Sequence, residues 1–243
     1  MAVAGIAMYA EGTVEERRVR LIVPSSNTVA EVDFVRSLPP GTTLHTARAF
    51  LAETTAEAER VMLRRHVPQA IADLASLRPH VVAFACTTAG AVLGREGEAR
   101  LVEEIERATG ARAVSTNDAV GSRIARHQPR RVAVITPYVE ELNARIREGL
   151  EARGLCVTRV AGLGLRENFA IGNVSPAQIV AFAEEQLAGA DFDLLFVSCT
   201  NFRGVAARPR RWSAVSTCRS SRATRRRSMP RSRRSGYPLT TRV

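Results

Sequence analysis

Short runs rich in β-branched and other aliphatic residues alternate along this chain with longer stretches that carry apolar residues at helical spacing. Strands separated by helices cannot pair through tight hairpins, so the pattern predicts crossover units around parallel sheets, with helices covering both faces. The predicted strands are Val19 to Pro24, Thr43 to Phe50, Val81 to Cys86, Ala111 to Thr116, Arg131 to Pro137, Cys156 to Gly162 and Leu194 to Cys199. The helical stretches are Thr55 to Leu77, Glu96 to Thr109, Glu140 to Arg153 and Pro176 to Ala188. Gly110 and Gly154 end two of them, where a left-handed cap is expected.

The alternation also repeats. Val82 to Thr88 reads V-A-F-A-C-T-T and Leu195 to Asn201 reads L-F-V-S-C-T-N, so each half offers a buried strand that ends in Cys-Thr and then turns. The expected fold class is α/β, with two doubly wound parallel-sheet domains related by a pseudo-twofold axis and a site in the cleft between them. Ligands of such sheets collect outside the carboxyl ends of the strands, where both cysteines fall. The expected organisation is an N-terminal extension at 1–17, a first half at 18–117 carrying Cys86, a second half at 118–207 carrying Cys199, and a tail at 208–243. The extension is expected to be flexible and the tail disordered.

With 45% hydrophobic but only 5% aromatic residues, the core must be built from aliphatic side chains. The formal charge of +11 is not spread over the fold: residues 208–243 hold twelve of the 35 basic residues and none of the 24 acidic ones, which leaves the rest near neutral. A basic tail of this kind can bind nucleic acid or anionic lipid through phosphate contacts. Its only large aromatics are Trp212 and Tyr237, too few for base stacking, so neither nucleic acid nor membrane is the expected partner. The first ten residues lack a basic leader and run into Glu11, Glu15 and Glu16, which does not read as a signal peptide. Cys86, Cys156, Cys199 and Cys218 show neither C-x-x-C nor companion His spacing, which argues against zinc and against a disulfide scaffold. Free thiols in the cytoplasm are the expectation.

Cys86 and Cys199 carry the chemistry. A lone strand cysteine is most often a small buried hydrophobe, and the matched repeat with a following Thr argues against that here. Each is expected at a helix start, where unpaired backbone N–H groups favour the reactive thiolate. Two opposed thiols can move protons on and off the faces of one carbon, or one can add to a double bond while the other handles the proton. Neither route needs a metal or cofactor. Thr87, Thr88, Thr200 and Asn201 are expected to hold carboxylate oxygens or a developing enolate. Strand ends at Ser25-Ser26-Asn27 and Thr136-Pro137-Tyr138 put an amide and a phenol in the same layer, whereas Ser115 to Asp118 fits a site loop and a helix cap equally well.

Together, V-P-S-S-N, A-C-T-T, T-P-Y, E-N-F-A-I-G and S-C-T-N-F-R resemble the maleate cis-trans isomerases of the Asp/Glu racemase superfamily, from about Arg18 to Arg203. The resemblance implies two Rossmann-like domains and a homodimer. It implies that Cys86 adds to an alkene carbon of maleate, that Cys199 donates and accepts the proton, and that fumarate leaves after rotation about the single bond. Asn27, Tyr138 and Asn168 carry over as ligands of the substrate carboxylates. The related arylmalonate decarboxylases typically keep only the second cysteine, so the pair favours isomerase chemistry; a racemase of aspartate, glutamate or a hydantoin-like compound would use the same two thiols.

After Arg203 the resemblance stops, and Arg208 to Val243 is dominated by Arg and Ser without strand or helix periodicity. The chain contains no lysine, as expected of a GC-rich coding sequence. Arg211 to Gly236 can be back-translated so that another frame reads as helix, strand and helix start. A shifted reading frame is therefore the expected origin of the tail. It would leave the second half without a core strand and the enzyme impaired.

Overall fold

The computed structural model describes residues 17–206 and 214–216 of the 243. The expected extension and nearly all of the Arg-rich tail, Cys218 included, lie outside these residues.

The first sheet contains β1 (Arg17–Pro24), β2 (Thr42–Ala49), β3 (Val81–Phe84) and β4 (Arg112–Ser115), all parallel, in the order β2-β1-β3-β4. The second contains β5 (Arg131–Thr136), β6 (Cys156–Gly162), β7 (Leu194–Val197) and β8 (Ala214–Ser216), again parallel, in the order β6-β5-β7-β8. The two orders match strand for strand, so the repeat seen in the sequence is a repeat of topology. Val132 to Thr136 and all of β7 are buried without alternation, as strands covered on both faces must be.

Every predicted strand and helical stretch is present, with two instructive departures. The stretch from Thr55 is two helices, α2 (Ala56–Arg65) and α3 (Val67–Ala75), split at His66. Pro68 lies in the first turn of α3, where its missing N–H costs nothing, but its ring cannot sit inside a continuous helix. The helix expected from Glu96 begins earlier: α4 (Thr87–Thr109) starts directly after Cys86 and kinks at Gly94, whose φ of 68° suits glycine alone. Gly110 and Gly154 both adopt the left-handed conformation expected of them, with φ of 66° and 79°.

Three helices escaped the periodicity reading. In α1 (Ala30–Ser37), only Ala30 is buried, while Val32 and Val35 face outward, so no apolar stripe exists to be read. In α5 (Thr116–His127), Ser115 accepts a hydrogen bond from the Asp118 N–H at 3.2 Å, which makes that segment a helix cap rather than a site loop. The single turn α7 (Asn168–Gly172) is too short to show a period. The remaining helices, α6 (Glu140–Glu151) and α8 (Pro176–Gln186), fall where expected, α8 entered through a capping box of Ser175 and Gln178.

The tail departs from expectation in one respect. Ala214–Ser216 pairs with Leu195–Val197 as the fourth strand of the second sheet, so a strand does occupy the edge beside β7.

Candidate active site

In each sheet the chain builds outward from one strand to one side and then crosses to the other. β1 lies between β2 and β3, and β5 lies between β6 and β7. In sheets with such a reversal the loops that leave the neighbouring strands diverge, and ligands bind at the carboxyl ends of those strands. Asn27 follows β1 and Cys86 follows β3; Tyr138 follows β5 and Cys199 follows β7. Four of the residues singled out from sequence thus stand at the two switch points.

Cys86 is the residue immediately before α4 and is 3% exposed. Its thiol donates to Glu59 Oε2 at 3.4 Å and lies 3.4 Å from Thr88 Oγ1. The Thr88 hydroxyl donates to the other Glu59 oxygen, Oε1, closing a three-membered cluster. Glu59 is wholly buried, 0% exposed, because α2 turns Ala56, Glu59 and Met62 inward on one stripe. Burial raises its carboxyl to about 7, and the hydrogen bonds from Thr88 and Cys86 offset part of that rise. Sequence reasoning missed Glu59, since an acidic residue in the first turn of a helix ordinarily serves the helix dipole. The available signal was its spacing, one residue type out of place on an apolar face.

Cys199 is 4% exposed and holds a φ of 108°, a strained value for a residue with a Cβ. Its sulfur accepts the Asn201 N–H at 3.2 Å and a hydrogen bond from the Tyr138 hydroxyl. Burial pushes its thiol up to about 12 despite these donors. Burial also pushes Cys86 well above its ordinary value, and the neighbouring Glu59 charge adds to the rise. The expectation of thiols lowered by helix starts is therefore corrected on two counts. Cys199 enters a turn rather than a helix, and at Cys86 desolvation outweighs the helix N-terminus. Tyr138 is likewise raised, by its own burial first and then by Cys199. The charges of Cys86 and Glu59 are both felt at Tyr138, so the two clusters share one neighbourhood.

The predicted carboxylate ligands form a buried seam between the halves. Asn27 Nδ2 donates to Thr200 Oγ1 at 3.1 Å, and Asn27 Oδ1 accepts the N–H groups of Val29 and Ala30 that open α1. The Thr200 hydroxyl donates to the Ala85 carbonyl at 3.0 Å, one residue before Cys86. Asn201 Oδ1 accepts the Thr28 N–H at 2.9 Å, and Asn201 Nδ2 donates to the Asn168 carbonyl at 2.6 Å. Asn168 Nδ2 in turn donates to Ser26 Oγ at 2.8 Å. Gly172 belongs to this seam, because a Cβ there would stand 2.6 Å from Thr28 Oγ1. Continuous with the seam at Asn168, Thr54 N–H donates to the Arg166 carbonyl at 2.6 Å and Asn168 N–H to the Ala52 carbonyl at 3.0 Å, with an antiparallel bridge between Glu53 and Glu167.

Thr87 turns another way. Its buried hydroxyl has no hydrogen-bond partner among the described residues, and it lines a cavity of about 240 Å³ shared by α4, α5 and α6. Glu98, Asn117, Arg145 and Arg153 line the same cavity, and neither cysteine does. Among the described residues, no group of three or more His, Cys, Asp or Glu side chains is placed to hold a metal ion, and no helix is long and apolar enough to cross a membrane.

Matched switch points facing one another across two parallel sheets define a two-domain, Rossmann-like α/β enzyme. The arylmalonate decarboxylase family profile matches residues 20–223, and the chain belongs to that family. The match runs past Arg203, where the motif likeness stopped. Maleate isomerase of Nocardia farcinica is 28% identical over 193 residues, 75% of this chain and 76% of the relative. Maleate isomerase of Geobacillus stearothermophilus is 29% identical over 176 residues, 67% of this chain and 70% of the relative. Among solved structures, a Pseudomonas putida maleate isomerase variant with maleate is similar, with a TM-score of 0.75, 21% identity and coverage of 83% of this chain and 87% of that one. A mutant of the Nocardia farcinica maleate cis-trans isomerase with a covalently bound succinylcysteine intermediate gives 0.74 at 23% identity, covering 83% and 88%.

Proposed function

We propose that this enzyme is a cis-trans isomerase of a small dicarboxylate, converting maleate to fumarate, with Cys86 as nucleophile and Cys199 as proton donor and acceptor. The observation that carries the reading is the placement of two buried cysteines at equivalent strand ends of the two sheets, with polar groups of both halves between them. The relatives named maleate isomerase, and the succinylcysteine adduct in one of them, support the same chemistry.

In this scheme Cys86 Sγ adds to one alkene carbon and the adjacent carbon takes the proton of Cys199. The carbon–carbon bond is then single and rotates; returning the proton to Cys199 and expelling the sulfur yields the trans product. Tyr138 and the Asn201 N–H hold the Cys199 thiolate formed in between. Asn27, Asn168, Asn201 and Thr200 exchange their present partners to bind the two substrate carboxylates, while Thr88 stays on Glu59 and Thr87 faces the separate cavity. Both halves are needed, because a dicarboxylate requires a cradle at each end. The homodimer implied by the motif likeness belongs to this proposal.

Following the ultraviolet absorbance of maleate on the full chain, without added metal or nucleotide, is the direct test. Conversion to fumarate is expected. An enzyme that consumes an arylmalonate or exchanges the α-proton of an amino acid with deuterated solvent, while leaving maleate untouched, would replace this reading.

A further inference from the structure

Glu59 stands apart from everything the reaction scheme has used so far. It is a wholly buried carboxylate in contact with the reacting sulfur, supplied by a helix whose inward stripe is otherwise apolar. A buried carboxyl is costly unless its oxygens are occupied, and both are: one by Thr88, the other by the Cys86 thiol. The direction of the second bond matters. Cys86 is the donor, so its proton already points at Glu59 Oε2 across 3.4 Å.

We infer that Glu59 is the general base of Cys86, taking the thiol proton as sulfur attacks and returning it as sulfur leaves. This deepens the isomerase reading and rests on it. Burial and the adjacent negative charge both oppose a free thiolate at Cys86, whose proton is held toward Glu59 Oε2. Proton removal then accompanies bond formation, and a carboxyl raised to about 7 and in hydrogen-bond contact with the thiol is matched to that task at neutral pH. In the addition step the Cys86 S–H bond breaks and its proton passes to Glu59 Oε2, while the sulfur pair forms the new S–C bond. The alkene π pair moves to the neighbouring carbon and takes the proton of Cys199. One negative charge thereby travels from Glu59 to the Cys199 sulfur, where Tyr138 and the Asn201 N–H receive it. Elimination reverses each transfer, and no external acid or base is consumed. Thr88 is a positioning residue that keeps the carboxylate turned toward the sulfur.

The test compares the wild-type full chain with Glu59→Gln, which keeps side-chain size and hydrogen-bonding capacity, after melting curves confirm that both fold. One measurement is kcat and KM for maleate from about pH 5 to about pH 9, and the other is the rate of Cys86 alkylation by iodoacetamide, read by peptide mass spectrometry. In Glu59→Gln, kcat is expected to fall about 10²–10⁴-fold with KM little changed, and the acidic limb of the wild-type profile near pH 7 is expected to vanish. Alkylation at neutral pH should slow at least tenfold. A Glu59 that merely fills space and repels the thiolate gives the opposite result, since removing its charge would speed alkylation; that outcome, or unchanged kcat with the limb retained, overturns the inference. A wild type that alkylates with the limb near pH 7 yet does not isomerise maleate sinks the substrate assignment and leaves the Cys86–Glu59 pair standing.

Discussion

Cys86 and Cys199 occupy the same place in two copies of one topology, yet their surroundings have opposite chemical character. Around Cys86 stands an acceptor, the Glu59 carboxylate, which can remove a proton. Around Cys199 stand donors, the Tyr138 hydroxyl and the Asn201 N–H, which can steady a sulfur that has lost one. Desolvation raises both thiols and so does not distinguish them; the polar partners do. Pseudo-symmetry places the two thiols at equivalent strand ends, and local substitution then gives each different polar partners.

The most direct way to break this comparison is to remove each sulfur in turn. Cys86→Ala and Cys199→Ala are each expected to lower maleate turnover by more than about 10³-fold, since each removes a reacting group rather than a supporting contact. Either variant retaining substantial activity in the absorbance assay would show that the two sites are not partners.

Glu59 offers the next largest effect, on stability. Its carboxyl titrates near 4.5 when unfolded and near 7 in the folded protein, so the folded state binds the proton more tightly. Stability from this group is complete below the unfolded value and is lost as pH rises from about 4.5 through about 7. The loss is about 3 kcal/mol at mildly alkaline pH, with one pKa unit taken as about 1.4 kcal/mol. Urea unfolding should show Glu59→Gln gaining on the wild type as pH increases over this range; a constant difference would place the Glu59 charge in a solvated setting.

On the Cys199 side, Tyr138→Phe deletes one donor to sulfur and keeps the ring. It should reduce kcat by about tenfold, the rate equivalent of one hydrogen bond to a charged group, without introducing the pH change expected of Glu59→Gln. A shifted acidic limb in Tyr138→Phe would mean the two environments titrate as one unit. The smallest effect is expected at the seam: Thr200→Val removes the hydroxyl that joins the second half to the Ala85 carbonyl and should cost about 1 kcal/mol in chemical denaturation.

The alternation of short strands with helical stretches was enough to read the parallel sheets, because parallel strands buried on both faces are continuous apolar runs. The Cys-Thr repeat was enough to find both switch points. Helix α1 was not legible, since Val32 and Val35 face outward and give no stripe. Nor was Glu59, for the opposite reason: its position on the stripe is regular, but its residue type belongs to the solvent face by default. The seam was partly legible. Asn27, Asn168, Thr200 and Asn201 were each placed near the site from sequence, whereas their hydrogen bonding to one another across the halves depends on tertiary approach that no local pattern encodes.

The paired backbone contacts between Ala52–Thr54 and Arg166–Asn168 have a further consequence. Main-chain atoms of both halves clasp each other through these rungs, with the Thr54 hydroxyl also donating to Asn168 Oδ1 at 3.4 Å. Surface charge changes along these two loops leave such a fastening intact, while a proline at either donor position, Thr54 or Asn168, would remove a rung outright.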